Sequence, residues 1–286
     1  MASQPEKVQT YRAQEQQRLE KQFLLGIKDE DLGVYCDLFS ARTAIAGQDG
    51  GIVSSLLIKA FREGLLDAAI VVKRLEGYNA EAFVALNESN VLAAKGTSYL
   101  KINTTKKLRE LISQGKKRIA IVCSPCEAKA ARIIQQKIGK DCQITIIGLF
   151  CFEAFNSAKL KEATRRHLGV DIGKAEKTQV SQGKFTATVN GQQVSCKVKD
   201  LSGASEAACR FCDDFTSSLA DVSVGSVGSP SGYSTVIVRS PAGTCLVKGV
   251  ELVKGPVEKQ DIARLAKFKK ERAKKSFNEL KNFTKH

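Results

Sequence analysis

An α/β fold, α+β in part, with a mixed-sheet core, flanking helices and a β-rich C-terminal portion follows from three features of the chain. Short β-branched runs alternate with helix-favouring stretches, the pattern of strands layered between helices. Two of these runs end in cysteine segments, I-A-I-V-C-S-P-C and I-T-I-I-G-L-F-C, and the carboxyl ends of strands are where open sheets bind cofactors. An Asn190-Gly191 pair within K-F-T-A-T-V-N-G-Q-Q-V-S-C-K-V marks a β-hairpin in the later half. The core is therefore expected to carry a cysteine-ligated cluster or metal at its strand ends.

The elements follow in chain order. Residues 5–25 read as a polar helix with Pro5 in its first turn. Its apolar positions Val8, Tyr11, Leu19, Phe23 and Leu24 are too sparse for a core helix, so a frayed extension and a contact arm for another subunit are equally expected. The body begins near Leu32. The turn G-Q-D-G-G at 47–51 opens an apolar helix over 52–63, which Gly64 caps. A strand over 68–72, a second over 82–86, a helix over 105–113 and a strand over 118–123 come next. A helix over 127–138, a strand over 144–150 and a helix over 158–168 repeat the pattern. Beyond the hairpin, S-T-V-I-V-R-S and T-C-L-V-K read as strands turning at Pro241-Ala242-Gly243. Residues 261–285 read as a basic helix with Leu265, Phe268, Phe277 and Leu280 on one side, a stripe that needs a surface to bury it.

A length of 286 residues implies one large or two intimate domains, and a hydrophobic content of 43% places the chain among globular rather than disordered proteins. No apolar run is long enough to span a bilayer, and M-A-S-Q-P-E-K-V-Q lacks the apolar core of a signal peptide. A cytoplasmic protein is expected, and in that setting nine cysteines argue for metal binding over disulfides. The net charge of +15 suits either solvated lysine or an anionic partner. With aromatics at 6% and no Trp there is no stacking platform, so no nucleic-acid partner is expected.

Four cysteines carry most of the chemistry. Pro125 precedes Cys126 and a helical run follows, so its thiol stands at a helix N-terminus, where the macrodipole favours thiolate. Cys151 ends the next strand, and Cys209 and Cys212 form C-R-F-C on a local turn. Such a set can hold an iron–sulfur cluster or a structural zinc, and spacing alone favours neither. Cys123 ends a buried run and reads as a core residue rather than half of a redox pair. The glycine-rich segments G-Q-D-G-G and S-V-G-S-V-G-S-P-S-G let backbone approach a ligand closely, though neither is a dinucleotide fingerprint or a P-loop. The only histidines are His167 and His286, which leaves hydrolytic catalysis without a base, so the chemistry belongs to a cofactor. A zinc-stabilised basic protein that binds RNA is the reading from a different class.

The stretches Q-D-G-G-I-V-S-S-L-L-I-K-A-F-R-E-G-L-L-D-A-A-I-V-V, A-A-K-G-T-S-Y, S-P-C-E, G-L-F-C-F-E-A-F and C-R-F-C-D-D-F-T-S-S-L-A-D-V-S-V-G-S-V-G-S-P-S-G-Y run in order from about Leu32 to Arg239. In these the chain resembles the β subunits of coenzyme F420-reducing hydrogenase, in the wider family that includes archaeal formate dehydrogenase β subunits. The resemblance implies one [4Fe–4S] cluster on Cys126, Cys151, Cys209 and Cys212, and one FAD. The resemblance leaves the lining of the flavin to the glycine motifs, which suggest Gln48, Asp49, Gly50, Gly51, Gly96, Thr97, Ser98, Tyr99, Gly225 and Gly228, with Lys73, Arg74, Lys95 and Lys101 near them as candidates for the coenzyme. It further implies an electron-exit subunit in which the cluster passes single electrons to FAD, and reduced FAD exchanges hydride with coenzyme F420. A large catalytic hydrogenase subunit and a small iron–sulfur subunit would be its partners in a hetero-oligomer. Service to formate dehydrogenase, ferredoxin or a heterodisulfide reductase module is the alternative. The expected division is a polar extension (1–31), a flavin-binding α/β part (32–115), a part with the iron–sulfur cluster (116–255) and a basic helix (256–286).

Overall fold

The computed structural model describes residues 4–283. Residues 1–3 of the expected extension and 284–285 of the expected last helix lie outside them. The described chain begins with helix α1 (Gln4–Phe23) and strands β1 (Ile27–Asp29), β2 (Gly33–Tyr35) and β3 (Asp37–Arg42). Helix α2 (Ile52–Arg62), strands β4 (Ala68–Leu75) and β5 (Asn79–Ala85), helices α3 (Glu88–Ala93) and α4 (Thr105–Ser113), and strand β6 (Arg118–Cys123) follow. Then come α5 (Pro125–Ile138), β7 (Gln143–Leu149), α6 (Ser157–Leu168), β8 (Ala175–Ser181), β9 (Lys184–Val189) and β10 (Gln192–Lys197). The chain continues with β11 (Val222–Gly225), β12 (Ser234–Val238), α7 (Pro241–Val247), β13 (Val253–Gly255) and α8 (Lys259–Phe283).

The expected α/β class holds. Among the described residues one eight-stranded sheet runs β13-β3-β12-β11-β7-β6-β4-β5. Strands β4, β6, β7 and β11 are parallel to their neighbours in that set. Strand β12 is antiparallel to both β11 and β3, so β3 points the same way as the parallel set. Near-continuous apolar runs such as R-I-A-I-V-C, buried from Ile119 to Cys123, mark strands covered on both faces. On one face α2, α3 and α7 press Leu56, Leu57, Val91 and Leu246 onto Val71, Val122, Val222 and Val236. On the other, α4 and α5 bring Leu108, Leu111, Ala131 and Ile134 onto Ile70, Ile121 and Ile146. Beside them Ile262 and Ala266 of α8 pack with Leu32 on Ile237. Each such buried Leu or Ile contributes about 2 kcal/mol.

Two buried arginines tie the layers. Arg132 of α5 pairs with Asp221 at 2.9 Å, and Asp221 also accepts from the Ile146 amide at 2.7 Å. Arg239 is fully enclosed, and burial pulls its guanidinium down to about 10. Ser223 Oγ and the Leu32 carbonyl, both at 2.8 Å, are among the acceptors that offset that cost.

The hairpin at Asn190-Gly191 is present, with φ of 51° and 73° as a type I′ turn requires. Strand β8 adds a third strand to it, and this small sheet has its own core with α6, around Phe155, Leu160, Phe185 and Leu201.

Three expectations need correction or completion. T-C-L-V-K is not a strand: Pro241–Val247 is helical, with Ser240 as its N-cap accepting from Gly243 N at 3.1 Å. Ser-Pro is a helix start, and that signal outweighs the β-branched content after it. The buried face of α8 is Ile262, Ala266, Lys269, Ala273, Ser276 and Phe277, whereas Phe268 and Leu280 lie 59% and 41% exposed. Of the expected stripe, Phe277 is buried against Phe211 and Leu265 packs on the core, so the stripe overlaps only in part with the face that packs. Finally, α1 lies on its own chain: Leu19 is buried, Gln16 donates to Ser218 Oγ at 3.1 Å, and Arg132 stacks over Phe23.

Candidate cofactor site

Because β3, β6, β7 and β11 point one way, the segments leaving their carboxyl ends gather at one edge of the sheet. These are the 43–51 loop, Ser124 to Cys126, Phe150 and Cys151, and the glycine stretch beginning at Gly225. Antiparallel β12 starts at the same edge, where Ser234 Oγ accepts from Gly50 N at 3.0 Å. This is the edge at which open α/β sheets bind ligands.

Helix α5 starts here with Ser124 as an N-cap that makes no side-chain cap bond and Pro125 in the first turn. Cys126 is exposed on that turn, with its Sγ 3.3 Å from Ser124 Oγ and 3.5 Å from Lys101 Nζ. Lys101 is also paired with Glu127 at 2.6 Å, and Glu127 caps α4 through the Thr104 and Thr105 amides. Cys151 is held by its amide on the Phe215 carbonyl at 2.9 Å. Cys209 and Cys212 share a turn closed by Cys212 N on Cys209 O at 3.2 Å, and the Ala154 amide donates to Cys209 Sγ at 3.5 Å. The four thiols lie in each other's electrostatic field. Burial and then the charges of Cys212, Cys126 and Cys209 push the Cys151 thiol up to about 12 against the opposing pull of Lys269. Burial, with Cys212 and Cys126 adding to it, likewise raises Cys209. All nine cysteines are free thiols. Among the described residues no three His, Cys, Asp or Glu side chains are grouped tightly enough to hold a metal ion. Cys123 stands apart in the core, its thiol raised well above the ordinary value by burial.

Sequence reasoning missed what fixes these loops. Lys269, on the buried face of α8, donates to the carbonyl of Cys151 and, at 2.7 Å, to that of Asp214. Arg272 donates to the carbonyls of Phe152 at 2.9 Å and Cys209 at 3.1 Å, and pairs with Glu153. From α1, Arg12 donates to the Phe211 carbonyl at 2.9 Å. The available signal was spacing: Lys269 falls seven residues after Ile262 and four before Ala273, on an otherwise small and apolar face.

The glycine segments divide. A Cβ on Gly50 would meet Ala41 O at 2.4 Å, and one on Gly51, where φ is 70°, would meet Ile45 O at 2.0 Å. On Gly225 and Gly228 it would strike Phe150 and Ile262. These four glycines are thus required by the chain's own packing. Gly96 is open, with nothing nearer than Arg74 Cδ at 3.8 Å, and the half-buried Thr97 and Ser98 follow it. Tyr99 meets the 43–51 loop. Its hydroxyl accepts from Val180 N at 2.9 Å and Gln48 Nε2 at 3.4 Å, and burial pushes the phenol up to about 12. Burial also raises the Asp49 carboxyl, with Lys177 opposing. Helix α2 begins after this loop with no side-chain cap on its first-turn amides. Of the basic candidates, Arg74 donates to Ala175 O at 3.2 Å, Lys95 to Ala46 O at 3.2 Å, and Lys73 stacks over Phe83.

Comparison with known proteins decides the family. Residues 38–109 and 116–264 match the N-terminal and C-terminal parts of the coenzyme F420 hydrogenase/dehydrogenase β subunit. The chain belongs to that β-subunit family. It is 32% identical to the coenzyme F420 hydrogenase subunit beta of Methanothermobacter thermautotrophicus, over 86% of this chain and 95% of that protein. It is 35% identical to the coenzyme F420-dependent sulfite reductase of Methanocaldococcus jannaschii, over 84% of this chain but only 40% of that protein's length. Its fold matches a chain of the F420-reducing [NiFe] hydrogenase complex from Methanosarcina barkeri with a TM-score of 0.84 and 29% identity. That match covers 90% of this chain and 96% of the other. Members of this β-subunit family are components of oxidoreductases. Among the described residues no helix is long and apolar enough to cross a membrane.

Proposed function

We propose that this chain is the electron-exit subunit of an F420-reducing hydrogenase, cytoplasmic and bound to a large catalytic and a small iron–sulfur subunit. What supports this reading is that the segments bearing Cys126, Cys151 and the Cys209–Cys212 turn, with the 43–51 and 96–99 loops, lie near one carboxyl edge of the sheet in a chain of this family. Cys126, Cys151, Cys209 and Cys212 would hold a [4Fe–4S] cluster, and Gln48, Asp49, Thr97 to Tyr99 and the uncapped start of α2 would hold FAD. When bound, these groups supply one-electron transfer and its conversion into hydride transfer to coenzyme F420.

The chain's own residues supply the rest. First-turn amides of α2 without a side-chain partner favour an anionic phosphate group. Tyr99, Gln48 and Thr178 form a polar wall that orients a ligand, and the half-buried Tyr99 ring limits water. The ammonium and guanidinium groups of Lys269 and Arg272 fix the carbonyls of Cys151 and Cys209, which limits the movement of the backbone that carries those two thiols. The net charge of +15 draws in an anionic coenzyme.

Anaerobic purification with iron, labile-sulfide and flavin analysis tests the reading. Wild type should carry iron and flavin, and Cys126→Ser, Cys151→Ser, Cys209→Ser and Cys212→Ser should each cut iron content by more than half, whereas Cys123→Ser keeps it. A colourless protein holding zinc would sink the proposal. The match to part of a sulfite reductase supports a second reading, in which the same unit serves formate dehydrogenase, ferredoxin or another reductase. Partners recovered by native co-purification separate the two.

A further inference from the structure

We propose that two ammonium groups, Lys269 and Lys101, set the reduction potential of the group held by the four thiols, and that Lys269 also positions two of its loops. The inference rests on the reading that those thiols hold an iron–sulfur cluster.

Lys269 is 1% exposed, and it donates to backbone carbonyls, those of Cys151 and Asp214. An ammonium whose partners are carbonyls rather than a carboxylate has no opposite charge beside it to cancel its field, and burying it is costly unless something nearby benefits from that field. Here it stands between Cys151 and a residue two positions after Cys212, and its field reaches the thiols of both Cys151 and Cys209. On the other side Lys101 places its Nζ 3.5 Å from Cys126 Sγ. Glu127 offsets part of that second charge, at 2.6 Å, but the sulfur still receives a charge-assisted hydrogen bond. Four thiolates bring negative charge to one place, and each added electron meets it. Cations beside the sulfurs and hydrogen bonds to them stabilise the reduced state, and so raise the potential.

The test is a redox titration of the full-length chain, purified anaerobically, followed by electron paramagnetic resonance alongside iron analysis and far-ultraviolet circular dichroism. Lys101→Met removes a half-exposed charge, and Lys269→Gln removes the buried charge while keeping a hydrogen-bond donor. Each is expected to lower the midpoint potential by roughly a tenfold change in the one-electron equilibrium, about 59 mV, with Lys101→Arg restoring wild-type behaviour. Loss of iron in Lys269→Gln with a native spectrum supports the positioning role. If Lys269→Gln does not fold, the Lys101 pair decides: a drop in Lys101→Met that Lys101→Arg reverses supports the inference, and equal potentials overturn it. Full iron with unmoved potentials in both charge-removing variants also overturns it, while leaving the proposed function standing. A wild type that takes up no iron defeats the proposed function and this inference together.

Discussion

The Asp67 carboxylate accepts from the amides of Lys117 and Arg118 at 3.1 and 2.9 Å and from the Arg118 guanidinium at 2.6 Å, joining the starts of β4 and β6. The Arg118 side chain, then its amide, hold this carboxyl at about 2, below the value of about 3.9 in an unfolded chain. Its contribution is therefore complete above about pH 4 and is lost as pH falls towards about 2. Solvent screening at this half-exposed site limits it to about 1 kcal/mol. Asp67→Asn should lower stability to urea by about that much at pH 7 and by almost nothing at pH 2; an equal loss at both would assign the effect to packing. At this scale the positions of the cysteines were readable: the Pro125 before Cys126 marks a helix start, and the apolar runs before Cys123 and Cys151 mark strands. The glycines were not: a glycine that admits a ligand and one that admits its own backbone look alike in sequence, and only the Ile45 and Ala41 carbonyls beside Gly51 and Gly50 tell them apart. Lys269 was hidden for the opposite reason, since a lysine among lysines reads as solvated charge.

Helix α8 shows the same problem across a whole element. Its large apolar residues called for a surface to bury them, which could be another subunit, but the helix packs on its own chain through Ile262, Ala266, Ala273 and Phe277 and brings Lys269 and Arg272 onto the cysteine loops. A chain ending after Ala266 should therefore lose more than half of its iron on anaerobic isolation, besides any loss of assembly. Unchanged iron with weakened assembly would restore the docking role. Other elements were readable almost residue by residue. Thr105–Ser113 has a clear helical period and Arg118–Cys123 is a short unbroken apolar run, each bounded by turn residues. Pro241–Val247 failed because a seven-residue helix has too few turns to show a period, so its Ser-Pro start was the only clue.

In the molecule as a whole, the sheet interleaves early and late chain: β3 lies between β12 and β13, and β4 pairs with β6. The class of fold was readable because alternating helices and buried strands admit few arrangements. The strand order was not, since pairing partners such as Phe39 and Val236 are far apart in sequence and nothing local records their register.

The three-stranded sheet β8-β9-β10 shares no strand with the main sheet and has a separate core. Polar bonds help join the two: Val180 N to the Tyr99 hydroxyl, Gln48 to Thr178 O, Tyr78 with Thr178, and Arg74 to Ala175 O. Two cores stitched in this way behave as two cooperative units, and the smaller opens first. Amide hydrogen exchange should show β8, β9 and β10 exchanging together at a lower opening free energy than β6 and β7; a common value for all five strands would make the molecule one unit. Gln48 and Tyr99 stand on the seam between these units, so the wall of the proposed flavin site can swing aside while the parallel strands stay zipped.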